Sequence, residues 1–549
     1  MKKNKGFTLV ELLVVIVLLT ILILFVAPNI LKSLKDAKVG LFRSQINSLL
    51  KSAENEFQLD KVTRQKTYYY ETGSLLVDLT EGVEYCVRIN NNGTINSIVV
   101  VDNNNKLKGT GTNEKDISIV SINQEESVTC QISSGSNSKY VDSFLAGADP
   151  KISGDLIPVI LSSTEEDWTV KYADINKQWY NYAESKWANA VLLVDSASDS
   201  YVVGDTIDHE DIEAYFVWIP KYKYKLFNMG NYSGISTKEV SANRLIDIIF
   251  GTENTVDSKT SCKTPAVSGE SGNCAVGKWM THPAFLAFDS DGFWVGKFET
   301  TGTISDEAIT SISVLPGVDP LRSIKLYEMF SKALTYNTSL KSHMLKNTEW
   351  GAVAYLSHSI YGMGNKNIYI NNFNDGGVFK TGCVGGGPFA SATDSCTYEW
   401  YTLNGFNGST SGNITGIYGM SGGVGEYVAG YRDTSDTYLN YSGFSKEILN
   451  SISTEYLDIY NNSSSMTSYN KRILGDATGE MGPFRSGSLL YKGSWYDDAA
   501  AFVASSSPWF CRGGHIATFS GLFSYNFNQG TSNVNNGFRM ALTPWKFVI

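Results

Sequence analysis

One charge interrupts the apolar run at residues 9–27, and that charge, Glu11, restricts the chain more than any other residue. A stretch of about 20 apolar residues rising ~1.5 Å each matches the ~30 Å hydrocarbon core of a bilayer. Lys2, Lys3 and Lys5 precede it, so the positive-inside rule keeps the start cytoplasmic. A cleaved secretory signal needs a small-residue site after the run, and Phe25-Val26-Ala27-Pro28 is a poor one. Glu11 must therefore find a partner at membrane depth, because a buried carboxylate costs several kcal/mol unless it is paired.

The residues around that charge, Gly6-Phe7-Thr8-Leu9-Val10-Glu11, resemble the type IV prepilin signature. The resemblance implies cleavage by a membrane prepilin peptidase between Gly6 and Phe7, followed by N-methylation of Phe7. It implies that Glu11 pairs with the free amine at Phe7 of a neighbouring subunit during filament assembly. It also implies that Pro28 is a helix-kinking proline. The expected partners are the peptidase, other pilin subunits, and the cytoplasmic membrane before assembly. The expected location is that membrane, crossed once, and then an extracellular pilus.

Beyond Pro28, Ile30, Leu34, Ala37, Leu41, Ile46, Leu49, Ala53 and Phe57 recur at helical steps. This predicts a leader at 1–6 and one pilin helix over 7–60. Residues 61–134 read as a small antiparallel β domain, with Tyr85-Cys86-Val87-Arg88-Ile89 alternating, a turn at Asn90-Asn91-Asn92-Gly93, and a return strand at 95–101. A linker is placed at 135–154, a small tryptophan-bearing β module at 155–205, which abuts the next domain or forms its first strands, and a large domain at 206–549. The fold class expected is α+β.

Charged residues make up 18% and the net charge is -10, which argues against a nucleic-acid partner. Seven cysteines are present and none form a C-x-x-C pair, so a zinc ribbon is not indicated. Cys262 with Cys274 and Cys383 with Cys396 each bracket a short glycine-rich loop and read as local disulfides; Cys86 and Cys130 can close a third loop. Cys511 is left over.

In the large domain, Asn347-Thr348-Glu349-Trp350 has the look of a helix start. Tyr418-Gly419-Met420-Ser421-Gly422-Gly423-Val424-Gly425-Glu426-Tyr427 is a glycine-rich turn entering a strand. Arg512-Gly513-Gly514 and Gly537-Phe538-Arg539 follow. In that order these motifs resemble the formylglycine-generating-enzyme branch of the C-type lectin fold, and in particular lectin-fold domains of bacterial and phage surface proteins. The oxidase members hold copper with two cysteines after the Arg-Gly-Gly motif. Here residues 515–536 contain none, so no enzyme activity and no catalytic cofactor are expected. The five histidines are scattered and read as polar surface or core residues. The resemblance also implies a structural calcium near the turn, with Glu426 and carbonyls near Gly422 and Val424 as oxygen ligands. The acidic or amide side chain expected at Gly419 is missing.

The same resemblance makes the segment after Arg-Gly-Gly an exposed binding face. His515, Thr518, Phe519, Ser524, Tyr525, Asn526, Phe527, Asn528 and Gln529 combine aromatic area with adaptable hydrogen bonding. The resulting expectation is a type IV pilin or minor pilin whose lectin-like head binds a surface glycan or protein as an adhesin. The alternatives are a sulfatase-modifying oxidase and a pseudopilin of a secretion or DNA-uptake machine.

Overall fold

The structure, a computed structural model, describes residues 9–59, 68–128, 130, 148–225, 245–251, 279–374, 378–388, 396–462, 473–478, 498–514 and 520–544, apart from short breaks inside those spans. Contacts divide the chain into two units, Met1–Ser143 and Phe144–Ile549. Gly6, Phe7, Cys262, Cys274, His515, Thr518 and Phe519 lie outside the described residues, as do the side chains of Glu11 and Pro28.

In the first unit one helix runs from Leu9 to Leu59, 51 residues, and its backbone passes position 28 without a break. At ~1.5 Å per residue it is about 77 Å long. Leu9, Val10 and every residue from 12 to 18 are exposed, so the helix wears an apolar sleeve on all sides that this chain does not cover. Among the described residues no helix is long and apolar enough to cross a membrane. The apolar run continues through positions 19 and 21–31, whose side chains are outside the described ones.

The second half of the helix rides on a five-stranded antiparallel meander in the order β1 (Tyr68–Glu71), β2 (Val83–Ile89), β3 (Ile95–Asp102), β4 (Leu107–Gly111), β5 (Ser118–Ser121). Residues of β2 alternate between fully and half buried, as a sheet with one covered face requires. Phe42, Ile46, Leu49, Leu50 and Ala53 fill the space against Tyr85, Val87, Ile98, Val100 and Leu107. Gly109 lets the helix come close: a Cβ there would lie 2.4 Å from Ile46 Cδ1. A disulfide from Cys86 to Cys130 ties β2 to the segment beyond β5.

The second unit begins with β6 (Ile157–Ser163), β7 (Trp168–Tyr172), β8 (Asn189–Leu193), β9 (Ile212–Pro220), β10 (Tyr222–Lys225), β11 (Asp247–Phe250), β12 (Met280–Thr281) and β13 (Gly292–Gly296). An exposed hairpin follows, β14 (Thr301–Ser305) with β15 (Ala308–Ser313). β16 (His343–Met344) leads into a helix at Asn347–Ser357, and β17 (Asn371–Asn374), β18 (Val378–Val384) and β19 (Tyr398–Glu399) form a small sheet tied at Cys383–Cys396. The chain ends with β20 (Gly425–Arg432), β21 (Asp458–Tyr460), β22 (Trp509–Gly513), β23 (Gly521–Asn528), β24 (Asn536–Phe538) and β25 (Met540–Leu542).

The largest sheet has seven strands in the order β16-β25-β13-β9-β8-β6-β7. Residues 155–205, expected as a small β module that abuts the next domain or forms its first strands, supply β6, β7 and β8 of this sheet. β8 is buried along its whole length and pairs with β9. The central members of the sheet read as continuous apolar runs because both faces are covered: the cross-strand pairs Trp218–Trp294 on one face and Val217–Val295 on the other are fully buried. The molecule is α+β, mostly sheet with few helices.

Candidate functional site

The motifs quoted from the second unit meet in one buried polar cluster. Every residue of the helix Asn347–Ser357 is buried, and its first turn is closed by Glu349, whose carboxylate accepts from the Lys346 backbone N–H at 2.9 Å. Glu349 also contacts His343 Nε2 at 3.1 Å. Burial alone would raise the Glu349 carboxyl, but His343 and Lys346 hold it below its usual range. Gly351 permits the packing, since a Cβ there would fall 1.8 Å from the Gly475 carbonyl oxygen. From β22, Arg512 donates to Asn347 Oδ1 at 3.2 Å and to the Asp476 carbonyl at 3.1 Å. Its guanidinium lies 5.6 Å from the rings of both Trp350 and Tyr525.

Strand register brings the other two motifs together. β20 pairs with β22 and β24, so Glu426 stands opposite Arg512 on one side and Gly537 on the other. Arg539 then closes a two-pronged ion pair on Glu426, Nε to Oε2 at 2.9 Å and Nη2 to Oε1, and spends its remaining N–H groups on the carbonyls of Gly296 and Tyr418, each at 2.9 Å. Both Glu426 oxygens thus accept from arginine, so its charge is already matched without a metal ion. Among the described residues no group of three His, Cys, Asp or Glu side chains converges as a metal site.

The missing acid at Gly419 has a structural counterpart. Gly419 and Gly423 both sit at positive φ, +76° and +71°, and a Cβ on either would start 2.4 Å from the Glu299 carboxylate. Glu299, from the bend between β13 and β14, therefore fills the space over which the glycine turn is folded. Its Oε1 accepts from Asn371 Nδ2 at 3.0 Å. Burial pushes its carboxyl up to about 7, with Arg539 opposing and Glu426 adding to the rise. Nothing local marks Glu299: in sequence, residues 293–300 look like one ordinary strand, but β13 ends at Gly296 and the chain bends through Glu299.

A cavity of about 70 Å³ opens beside this cluster. Its inner residues are Cys511, Ser524 and Asn536, all buried; Gly514, Asn526 and Asn528 are half-buried at the rim; the alanines at 499–501 form one wall. Cys511 stands directly opposite Asn526 in the β22–β23 register, which sets both on one face of the sheet. Gly425 lies behind them, where a Cβ would sit 2.8 Å from Cys511 Sγ and 3.1 Å from Asn536 Oδ1. Its φ is not positive, so here glycine serves space and not backbone conformation. Burial pushes the Cys511 thiol up to about 12, with Glu426 adding to the rise, so it stays an S–H at neutral pH.

Of the residues expected to bind, Ser524, Asn526 and Asn528 line this cavity from one face of β23. Tyr525 also borders it but is fully buried, packed under Arg512 and against Phe502. Phe527 and Gln529 are exposed on the surface. Asn536, Cys511 and the alanine wall were not foreseen. The four described histidines do not converge: His282, His343 and His358 are core residues, the first lowered by burial to about 3 and the last to about 4, and His209 is exposed.

Residues 1–27 match the family model of the prokaryotic N-terminal methylation motif. That match supports a type IV prepilin-like segment, and with it a pilin-like or pseudopilin protein that is processed by prepilin peptidase, assembles with other pilins, and is membrane-anchored before it reaches the surface. No curated protein matches the chain.

Proposed function

We infer that this chain is a pilin-like subunit whose first unit polymerises and whose second unit is a lectin-like binding head, acting as an adhesin through the cavity beside β22 and β23. The observation that carries it is the apolar sleeve from Leu9 to Leu18, which the chain leaves uncovered beneath a methylation motif. A helix that is apolar on all sides needs lipid or other helices around it. The cavity supports the head's role: it is small, bordered by residues of the expected binding segment, and backed by a rigid cluster.

The oxidase alternative is disfavoured by the lone thiol, held protonated and hydrogen-bonded only weakly to Asn536 Oδ1 at 3.9 Å. The test is fractionation of cells with working pilus machinery. The chain should appear in sheared filaments, cut at Gly6, and cells lacking it should lose attachment to a target surface. Retention in the envelope with attachment unchanged would favour the pseudopilin reading.

A further inference from the structure

Among the described residues no acidic or basic side chain borders the cavity. A charged guest would lose its hydration there with no counter-ion beside it, so the guest is neutral. One wall is apolar, built from the methyl groups of alanines 499–501 with the Cys511 thiol below. The other side offers donors. Asn526 Oδ1 already accepts from the Phe527 N–H at 2.8 Å, and Asn528 Oδ1 accepts from the Tyr427 hydroxyl at 2.7 Å and from the Gly530 N–H at 3.1 Å. Each amide is thereby oriented with its oxygen engaged and its NH₂ end left for a guest. Asn536 is spent on both ends: Nδ2 donates to the Tyr427 oxygen at 3.0 Å and Oδ1 faces Cys511.

A fitting guest therefore carries an accepting oxygen next to a methyl-sized apolar end. Its size is limited by the volume of about 70 Å³. A cavity of ~150 Å³ holds benzene, so this one suits a group of roughly three non-hydrogen atoms. The acetyl end of an acetamido group meets all three demands, with its carbonyl oxygen, its methyl and its size, and leaves the nitrogen at the mouth.

We propose that the cavity receives the acetamido group of an N-acetylated hexosamine. An acetylated peptide would gain most by adding a strand to a free sheet edge. β23 is the edge strand of its sheet, but Ala500 bridges to Tyr525, and the backbone on either side of Ala500 bonds to it, which covers that edge. Around the end of β23, Ser506, Gln529, Ser532 and Asn533 are instead exposed together with the apolar Phe527 and Val534, a mixture of polar groups and apolar area that suits the hydroxyls and the C–H face of a sugar ring. This inference rests on the binding-head reading and names its ligand.

The test uses the full-length chain in detergent and saturation-transfer NMR with free N-acetylglucosamine and N-acetylgalactosamine, against glucosamine, glucose and an acetyl-lysine peptide. The expected result is transfer concentrated on the acetamido methyl of at least one N-acetylated sugar, with the unacetylated sugars bound about tenfold or more weakly. Asn526→Asp keeps the oxygen that accepts from Phe527 but replaces the donor with an acceptor. It should weaken binding by about tenfold, the worth of one hydrogen bond, at an unchanged melting temperature. Ala500→Leu, which fills the cavity, should abolish it. Binding of unacetylated glycans alone, of the acetyl-lysine peptide alone, or of nothing would each overturn the proposal. If attachment by intact filaments persists in any of those cases, the head remains a binding module and only the ligand class is wrong.

Discussion

Replacing Arg539 with Met should be among the most damaging single changes to the second unit. The arginine is fully buried, and it neutralises Glu426 through two nitrogens while bonding the carbonyls of Gly296 and Tyr418. Stranding one partner of a buried ion pair costs ~3–5 kcal/mol. Two carbonyls losing their donors add about 1 kcal/mol each. The expected loss is therefore about 5–7 kcal/mol, a large share of the ~5–15 kcal/mol that holds a typical domain together. All tryptophans of the chain lie beyond residue 143, so denaturant unfolding followed by tryptophan fluorescence reports the second unit alone. A second variant isolates the cause. Adding Glu426→Gln to Arg539→Met removes the stranded charge and should recover about half of the loss, because the uncompensated ion is the larger part of it. A loss below ~1 kcal/mol for Arg539→Met, or a double variant as unstable as the sum of the two singles, would refute the reasoning.

Glu299 gives a pH signature. Its folded carboxyl is pushed up to about 7 from the ordinary 4.5, so between those values the native state holds a proton that the unfolded chain lacks. The stability from this group is present below about 4.5 and is lost as pH rises through about 7. Glu299→Gln should flatten that loss and make the protein more stable at pH 8, by on the order of 3 kcal/mol, which thermal melts at pH 5 and pH 8 will measure. Loop closure makes Cys86–Cys130, separated by 44 residues, worth more than Cys383–Cys396, separated by 13. Serine at one cysteine of each should cost about 4 and about 3 kcal/mol respectively, each measured on its own unit. Gly6→Val should block maturation, so mass spectrometry finding an amino terminus at Phe7 in that variant would count against the prepilin segment. Glu11→Ala should leave membrane insertion intact and remove the chain from sheared filaments.

The sequence made the helix legible because a helical apolar stripe is a local signal, and Ile46, Leu49 and Ala53 are indeed its buried face. The hairpin of β2 and β3 was legible for the same reason, alternation on either side of a turn. What failed to show were relations between distant residues. Whether the residues of β8 abut the large domain or belong to it shows only in their place between β6 and β9. Tyr525 looks like a paratope aromatic, yet the pleat turns it inward with Arg512 while its neighbours Ser524 and Asn526 face the cavity. A one-residue alternation decided this, and it could not be phased without knowing which face β22 covers. Glu299 and Gly419 fit each other across more than a hundred residues, so neither position alone betrays the exchange.

The last strand of the chain, β25, is inserted between β16 and β13, while the first strands of the same unit lie at the far side of that sheet. Tension applied at the start of the unit and resisted near its end must cross several ladders loaded side by side. Such a seam yields only when many rungs slip at once, so the second unit would resist a pull between its two ends that peels apart a simple hairpin.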